Sequence, residues 1–205
     1  MKNTMIKDTL SLFVITLIAG ALLGFVYDLT REPIRAAENA KKQEAYGNVF
    51  TGVASFEENE ELTAAIENLE DVLAAEGITS VYISEVLEAK DASGATMGYV
   101  MNFGSNAGYG GAIDMSLGVT TDSTLTGVSV LSMSETVGLG SKCTEPDFLN
   151  QFTGIKADSV AYSKTGKAAD NEIDAIGGAT ITTKAVTSAV NGALAFLRAN
   201  GAISQ

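Results

Sequence analysis

The stretch TSVYISEVLEAKDASGATMGYVMNF, residues 79–103, decides the fold of this chain. Apolar and polar residues alternate on both sides of the turn sequence Asp-Ala-Ser-Gly, which is the pattern of two antiparallel strands joined by a hairpin. Two more alternating runs follow, each after a segment of turn-forming residues. Strands that succeed one another this closely pair in order, so the sequence predicts an antiparallel sheet with strands at 79–89, 96–103, 112–119 and 124–132.

Segments with helical periodicity lie before and after the predicted sheet. Glu57–Glu76 and Thr183–Leu197 carry apolar residues at helical spacing, and Pro146–Phe152 predicts a short helix. Pro33 suits the first turn of a helix, so residues 34–49 predict a separate, charged stalk helix. Together these segments predict an α+β fold, with helices packed on one antiparallel sheet.

An uncharged segment near the N-terminus, LSLFVITLIAGALLGFVY from Leu10 to Tyr27, predicts a transmembrane helix. At ~1.5 Å per residue, its length is close to the ~30 Å thickness of the bilayer hydrocarbon. The alternative is a cleaved signal peptide with Lys2 and Lys7 as its basic flank, but no small-residue cleavage pattern follows the segment. Basic residues lie on both sides of the span, so charge alone leaves the orientation open. The chain is therefore expected to consist of an anchor, a stalk with a helical segment, and a ligand-binding domain, at residues 1–30, 31–76 and 77–205.

The composition excludes several kinds of chemistry. The 205 residues include no histidine, which removes Ser-His and Cys-His nucleophile pairs, histidine-bearing zinc sites and histidine-ligated haem. The single cysteine, Cys143, cannot hold an iron–sulfur cluster, which normally takes four thiolates. The net charge of −12 opposes nucleic-acid binding. A redox function would therefore need an organic cofactor.

The segment Asp174-Ala-Ile-Gly-Gly-Ala-Thr180 lies directly before the last predicted helix. A helix N-terminus offers N–H groups and a partial positive charge, which favour a phosphate. Gly177 and Gly178 allow the backbone to approach a ligand closely. Hydroxyl groups accumulate at the same end, on Thr180, Thr182 and Thr183. The segment predicts a phosphate site, and the alternative is an ordinary helix N-cap.

Two other glycine-rich segments are candidate ligand loops. In SETVGLGSK, residues 134–142, two glycines bracket Leu139, so the backbone could lie flat against a planar ligand, and Lys142 could meet a phosphate or a ring carbonyl. In GYGG, residues 108–111, Tyr109 either packs on the ligand or caps a hairpin. The alternative for both segments is an ordinary connecting loop.

These segments, taken in order, resemble a known family. The N-terminal span, GYGG, SETVGLGSK, FLNQFTG at 148–154 and DAIGGAT before a final helix are similar to the FMN-binding domain family. Within that family the pattern most resembles the G subunits of Rnf-type, ion-translocating ferredoxin:NAD oxidoreductase complexes. The resemblance implies one FMN esterified through its phosphate to Thr180, with Asp174 as the acidic residue of the motif. It also implies that a separate flavin transferase attaches the cofactor.

The resemblance further implies which residues border the FMN. Those near the attachment point are Asp174, Gly177, Gly178, Ala179, Thr182 and Thr183, and those near the ring are Glu135, Thr136, Gly138, Leu139, Gly140, Lys142 and Tyr109. Three positions depart from the family pattern: Gly177 replaces a serine or threonine, Val137 replaces a proline, and Met133 stands where a histidine is often found. A second match, Ser93-Gly-Ala-Thr96, has its acidic residue five positions before the threonine instead of six, and it opens a strand. We therefore expect the ester on Thr180 and not on Thr96.

By the same resemblance, the chain is an electron-transfer subunit with no acid–base catalytic site and no metal site of its own. It implies assembly with the other membrane subunits of a Rnf-type complex. It also implies a single-pass position in the cell (inner) membrane, with the N-terminus in the cytoplasm and the FMN domain outside. The transported ion, sodium or proton, is left open. One alternative is the FMN-bearing subunit of a sodium-translocating NADH:quinone reductase, and another is a membrane-tethered assembly module without cofactor.

Overall fold

The structure is a computed structural model that describes residues 2–204, with side chains described from residue 5 onward. The side chain of Lys2, part of the basic flank considered above, lies outside the described residues. The chain divides into two compact units between Lys41 and Lys42. The functional division after residues 30 and 76 stays a prediction, because compactness and function are different criteria.

The first unit is the larger part of one helix, α1, which runs from Lys2 to Val49. Among the described residues, α1 is the helix with the length and apolar composition needed to cross a membrane, and its most apolar stretch is entirely exposed. Thr16 donates its hydroxyl to the Leu12 carbonyl at 3.0 Å, so this polar group is satisfied within the helix. The predicted anchor segment therefore has the surface that a bilayer requires.

The prediction of a separate stalk helix over residues 34–49 is wrong. Pro33 lies inside α1 and does not begin a new helix. A proline in a helix interior removes one hydrogen bond, at a cost of about 3 kcal/mol. The helix continues because residues 34–43 are mostly alanine, lysine, arginine, glutamine and glutamate. These residues have high helix propensity, since their side chains lose little conformational freedom in a helix.

The second unit is built on a five-stranded antiparallel sheet in the order β1-β2-β3-β4-β5. Its strands are Ser55–Glu58, Val81–Lys90, Thr96–Ser105, Ile113–Thr120 and Leu125–Met133. The last four strands confirm the predicted meander. The first was missed, because residues from Glu57 onward were assigned to a helix. That helix instead begins at Glu60, where the Asn59 side chain accepts the Leu62 N–H at 2.9 Å as an N-cap.

The helices of the second unit are α2 (Glu60–Ala65), α3 (Leu69–Ala75), α4 (Pro146–Leu149) and α5 (Thr180–Ala199). A small parallel pair, β6 (Ala161–Ser163) and β7 (Glu172–Asp174), precedes α5. The last helix begins three residues earlier than its apolar periodicity predicted, which makes Thr180 its first residue. The α+β prediction is confirmed.

The core lies on both faces of the sheet. One face packs against α5 and α3, with Met101 and Phe103 of β3 buried beneath Leu194 and its neighbours. The other face, which carries Val100 of β3, is covered by the C-terminal end of α1 through Tyr46 and its neighbours. Alternate residues of one strand thus enter different clusters, as the period of two requires.

Strand register determines which loops meet. Ser105 pairs with Ile113, and Ile113 in turn pairs with Met133, so the GYGG loop after β3 and the loop after β5 lie at the same end of the sheet. Lys90 pairs with Thr96, which places the 91–94 turn at the opposite end. Since β3 has ten residues at ~3.3 Å each, about 30 Å separates the two ends.

Candidate functional site

A pocket of about 480 Å³ lies at the sheet end that carries the GYGG loop. Three segments form it: the GYGG loop, the loop after β5, and the first turn of α5. Its volume is within the ~300–1,000 Å³ of typical ligand pockets. The residues that line it are Tyr109, Glu135, Thr136, Leu139, Gly140, Gly178, Ala179, Thr180, Ile181 and Thr182.

Glu135 joins the three segments. Its side chain is buried, with 7% of the residue exposed. One carboxylate oxygen accepts the Gly110 N–H at 3.1 Å, and the other accepts the Thr182 hydroxyl at 2.8 Å. None of the ion pairs found among the described residues involves Glu135. A buried carboxylate is costly unless it is hydrogen-bonded, so these two donors fix the loop against the helix.

Glycine is required where the two loops approach Glu135. A Cβ on Gly140 would lie 2.7 Å from the Thr182 hydroxyl oxygen and closer still to the Glu135 carboxylate. A Cβ on Gly108 would lie 2.6 Å from the other Glu135 oxygen. The glycines of both motifs therefore allow close packing around one carboxylate, a role that spacing alone did not reveal.

The first turn of α5 forms the electropositive side of the pocket. Thr180 is partly buried at the first helical position, and no side chain caps this N-terminus. The N–H groups of a first helical turn have no partner within the helix, so they favour an anion in front of them. Gly178, at φ +78°, turns the chain into the helix and packs beside Leu139. The Thr180 hydroxyl thus lies where a phosphate would be favoured.

Five predicted site residues lie outside the pocket lining. Asp174, Gly177 and Lys142 line a separate cleft of about 160 Å³ together with Glu145 and Asp147. Asp174 is held there, because its carboxylate accepts the Lys167 N–H at 2.5 Å and its own N–H donates to Gln151 at 2.6 Å. The expected contact of Lys142 with the ligand stays a prediction, and Lys142 reaches a different cleft from the one that Thr180 lines.

The remaining two of the five are Gly138 and Thr183. Gly138 occupies a turn beside the pocket, at φ +77°. Thr183 is fully buried, and its hydroxyl accepts the Ile176 N–H and donates to the Ala179 carbonyl, both at 3.0 Å. Thr183 therefore holds the glycine-rich segment onto the helix from inside.

One residue that lines the pocket, Ile181, was not predicted from the sequence. Its side chain is exposed and lies at the pocket mouth. Helical periodicity did not include it, because the predicted helix began only at Thr183.

Thr96, the rejected attachment residue, begins β3 at the opposite end of the sheet. Its hydroxyl donates to Glu88 at 3.0 Å across the β2–β3 hairpin. No residue of that hairpin is among those that line the pocket.

Cys143 follows directly on the SETVGLGSK segment in the connection after β5, and it is fully buried. Burial, together with the negative charge of Glu135, raises the pKa of the Cys143 thiol from 9.0 to about 11. The thiol is therefore protonated at neutral pH and acts as an apolar filler of the core.

Comparison with known proteins gives matches over almost the whole chain. The family model of the FMN-binding domain matches residues 108–195, which include all three segments of the pocket, and that of the RnfG N-terminal region matches residues 1–49. The chain is 33% identical to the G subunit of the Na(+)-translocating ferredoxin:NAD(+) oxidoreductase complex of Acetobacterium woodii, over 90% of this chain and 87% of that protein. It is 30% identical to the G subunit of the ion-translocating oxidoreductase complex of Methanosarcina acetivorans, over 94% of each.

Among solved structures, the C subunit of the Na(+)-translocating NADH-quinone reductase of Parabacteroides distasonis is similar, with a TM-score of 0.50. The match covers 70% of this chain and 96% of that one, at 22% identity. Similarity at this level concerns the fold alone.

Proposed function

We propose, from the premise that the chain belongs to the family of G subunits of ion-translocating oxidoreductase complexes, that it binds FMN and passes electrons within such a complex in the membrane. The observation that carries this proposal is the pocket at the start of α5. There an uncapped helix N-terminus, a threonine hydroxyl and apolar walls occur together.

The residues present fit FMN. Its phosphate suits the first turn of α5, and an ester to the Thr180 hydroxyl would keep the cofactor in an open pocket. The apolar side chains of Leu139, Ile181 and Tyr109 offer surface to a flat ring. FMN supplies the ability to accept one or two electrons. The chain supplies orientation, through the bonds from Gly110 and Thr182 to Glu135 that fix the pocket wall.

Attachment of FMN through Thr180 is the finer part of the proposal. A flavin transferase would transfer the FMN moiety of FAD to the threonine oxygen with the help of a divalent metal, breaking the pyrophosphate bond of FAD and releasing AMP. Gly177 leaves open space where the family has a hydroxyl, since nothing lies within 4 Å of a Cβ built there. A serine or threonine would therefore also fit at position 177, so packing does not require the glycine. Thr180 is the first residue of the helix.

The membrane position follows from α1, which has the length and composition of a span. We propose that the N-terminus is cytoplasmic and that the FMN-bearing domain lies outside the cytoplasm. This orientation and the role of the transferase rest on family resemblance. The partners are the other membrane subunits of the complex.

A fluorescence experiment tests covalent attachment. The full chain is co-expressed with a flavin transferase as wild type, Thr180→Val and Thr96→Val, and denaturing gels are viewed under ultraviolet light. We expect fluorescent bands for wild type and Thr96→Val and none for Thr180→Val. Loss of fluorescence in Thr96→Val instead would place the ester at the other end of the sheet. A wild-type band without fluorescence would exclude the covalent ester, and it would favour the cofactor-free assembly module if the native protein also holds no flavin.

A further inference from the structure

An apolar rim surrounds the pocket mouth. We give this name to Tyr109, Val137, Leu139 and Ile181, whose exposed fractions are 71%, 90%, 47% and 53%. Outside α1, these four are the large apolar side chains that the structure describes as exposed. All four thus lie in the three segments that form the pocket. Contiguous exposed apolar surface of this kind typically marks a binding site for another molecule.

Val137 belongs to the apolar rim but lies outside the pocket. The Leu139 N–H donates to the Thr136 carbonyl at 3.1 Å, and this bond closes a β-turn whose two central residues are Val137 and Gly138. The positive φ of Gly138, +77°, is that of a type II turn. Val137 is 90% exposed and is not among the residues that line the pocket. A ligand in the pocket therefore explains only part of the rim.

The charge of the second unit indicates what covers the rim. Basic and acidic residues nearly balance in the first 41 residues, so the net charge of −12 lies almost wholly on the second unit. An acidic surface is repelled by anionic lipid headgroups, and it is attracted to a protein with lysine and arginine around its binding face. An apolar centre with a polar, solvent-accessible periphery is the usual anatomy of a protein–protein interface.

We propose that the apolar rim is the surface through which this chain docks on a partner subunit of the complex, one that presents an apolar face bordered by basic residues. The inference rests on the proposed function, because docking here would bring the partner to the mouth of the FMN pocket. Val137, at the outer corner of the turn, would be central to the contact.

Site-specific crosslinking tests this proposal. The chain has one cysteine, Cys143, which is buried, so a Val137→Cys variant has a single accessible thiol. This thiol is labelled with a photoactivatable maleimide in the assembled complex in native membranes. The matched control is Ala92→Cys, an exposed position in the turn at the opposite end of the sheet. After illumination, denaturing gels are read for mass shift and for FMN fluorescence.

We expect the label at position 137 to give a product of this chain with another subunit, and the label at position 92 to give at least tenfold less of it. Products with lipid alone, with a second copy of this chain, or with nothing would each overturn the proposal. The fluorescence of the same bands reports separately on the proposed function. Crosslinked bands without fluorescence would leave the docking surface standing and remove the proposed covalent attachment of FMN.

A second variant tests the same proposal without a chemical label. Val137→Glu places a charge in the proposed contact, and it should not disturb folding because the side chain is exposed. We expect electron flow from reduced ferredoxin to NAD in these membranes to fall at least tenfold while the fluorescence of the chain is unchanged. Ala92→Glu adds the same charge at the far end and should have no effect. Wild-type flow in Val137→Glu would overturn the proposal.

Discussion

Gly140→Ala is the substitution that most directly tests the packing around Glu135. The added Cβ would lie 2.7 Å from the Thr182 hydroxyl oxygen and 2.9 Å from the Glu135 Cβ, and closer still to the Glu135 carboxylate. These atoms belong to buried side chains and cannot move into solvent. The 2.8 Å hydrogen bond between Thr182 and Glu135 must therefore lengthen or break.

The expected loss of stability has two parts. A hydrogen bond to a charged group contributes about 1.5–3 kcal/mol, and overpacking a tight site costs about 1–3 kcal/mol. Because the two parts overlap at the same atoms, we expect a total of about 3 kcal/mol. For a protein of this size, that corresponds to a decrease in Tm of roughly 6–12 °C.

Thermal unfolding of the detergent-solubilised chain, followed by the near-ultraviolet circular dichroism of its tyrosines, measures this change. The control is Gly47→Ala, the same substitution at an exposed helical glycine where nothing lies within 4 Å of the new Cβ. The control should be as stable as wild type or more stable by up to about 1 kcal/mol. If Gly140→Ala melts with the control, the Glu135 interactions do not hold the pocket together.

Three further predictions concern other parts of the second unit. Burial acts to raise the pKa of the Glu85 carboxyl, but hydrogen bonds and the charge of Lys42 outweigh it, so the pKa is lowered from 4.5. Glu85→Gln should therefore be less stable than wild type to urea at neutral pH, with the difference shrinking as the pH falls below 4.5, and a pH-independent difference would contradict this. Cys143 should resist maleimide at neutral pH until urea unfolds the domain, and labelling of the folded chain would show that the connection after β5 opens. Val137→Pro should raise the free energy of unfolding in urea by about 0.4–1 kcal/mol, because proline suits the second position of a type II turn, and destabilisation would refute that turn assignment.

The sheet was predictable from the sequence because its long strands alternate and because turn-forming residues such as glycine, asparagine, aspartate and serine lie between them. Strand β1 was not, since its four residues, Ser55–Glu58, are mostly exposed and carry no alternation of their own. Its pairing depends on β2, through the register of Phe56 with Ala89 and the 3.0 Å ion pair of Lys90 with Glu57. Pairing between residues this far apart in the sequence cannot be predicted from the local sequence alone.

The candidate site was likewise only partly predictable from the sequence. Its three glycine-rich segments were recognisable by composition, and the register of the strands brings them together. The position of Lys142 in a separate cleft depends on how the loop after β5 turns, which the motif does not specify. The role of Glu135 depends on burial and on donors 25 and 47 positions away in the chain, at Gly110 and Thr182. Function could be inferred from motif order, whereas the contacts that hold the site required the fold.

Peptide mapping of the chain from the assembled complex most directly tests the proposed attachment of FMN to Thr180. Trypsin releases Thr180 in the peptide Ala168–Lys184 and Thr96 in the peptide Asp91–Lys142. We predict that Ala168–Lys184 gains the mass of FMN less one water and that fragment ions place this mass on Thr180. The same mass on Asp91–Lys142, on Thr182 or Thr183, or on no peptide would contradict the account.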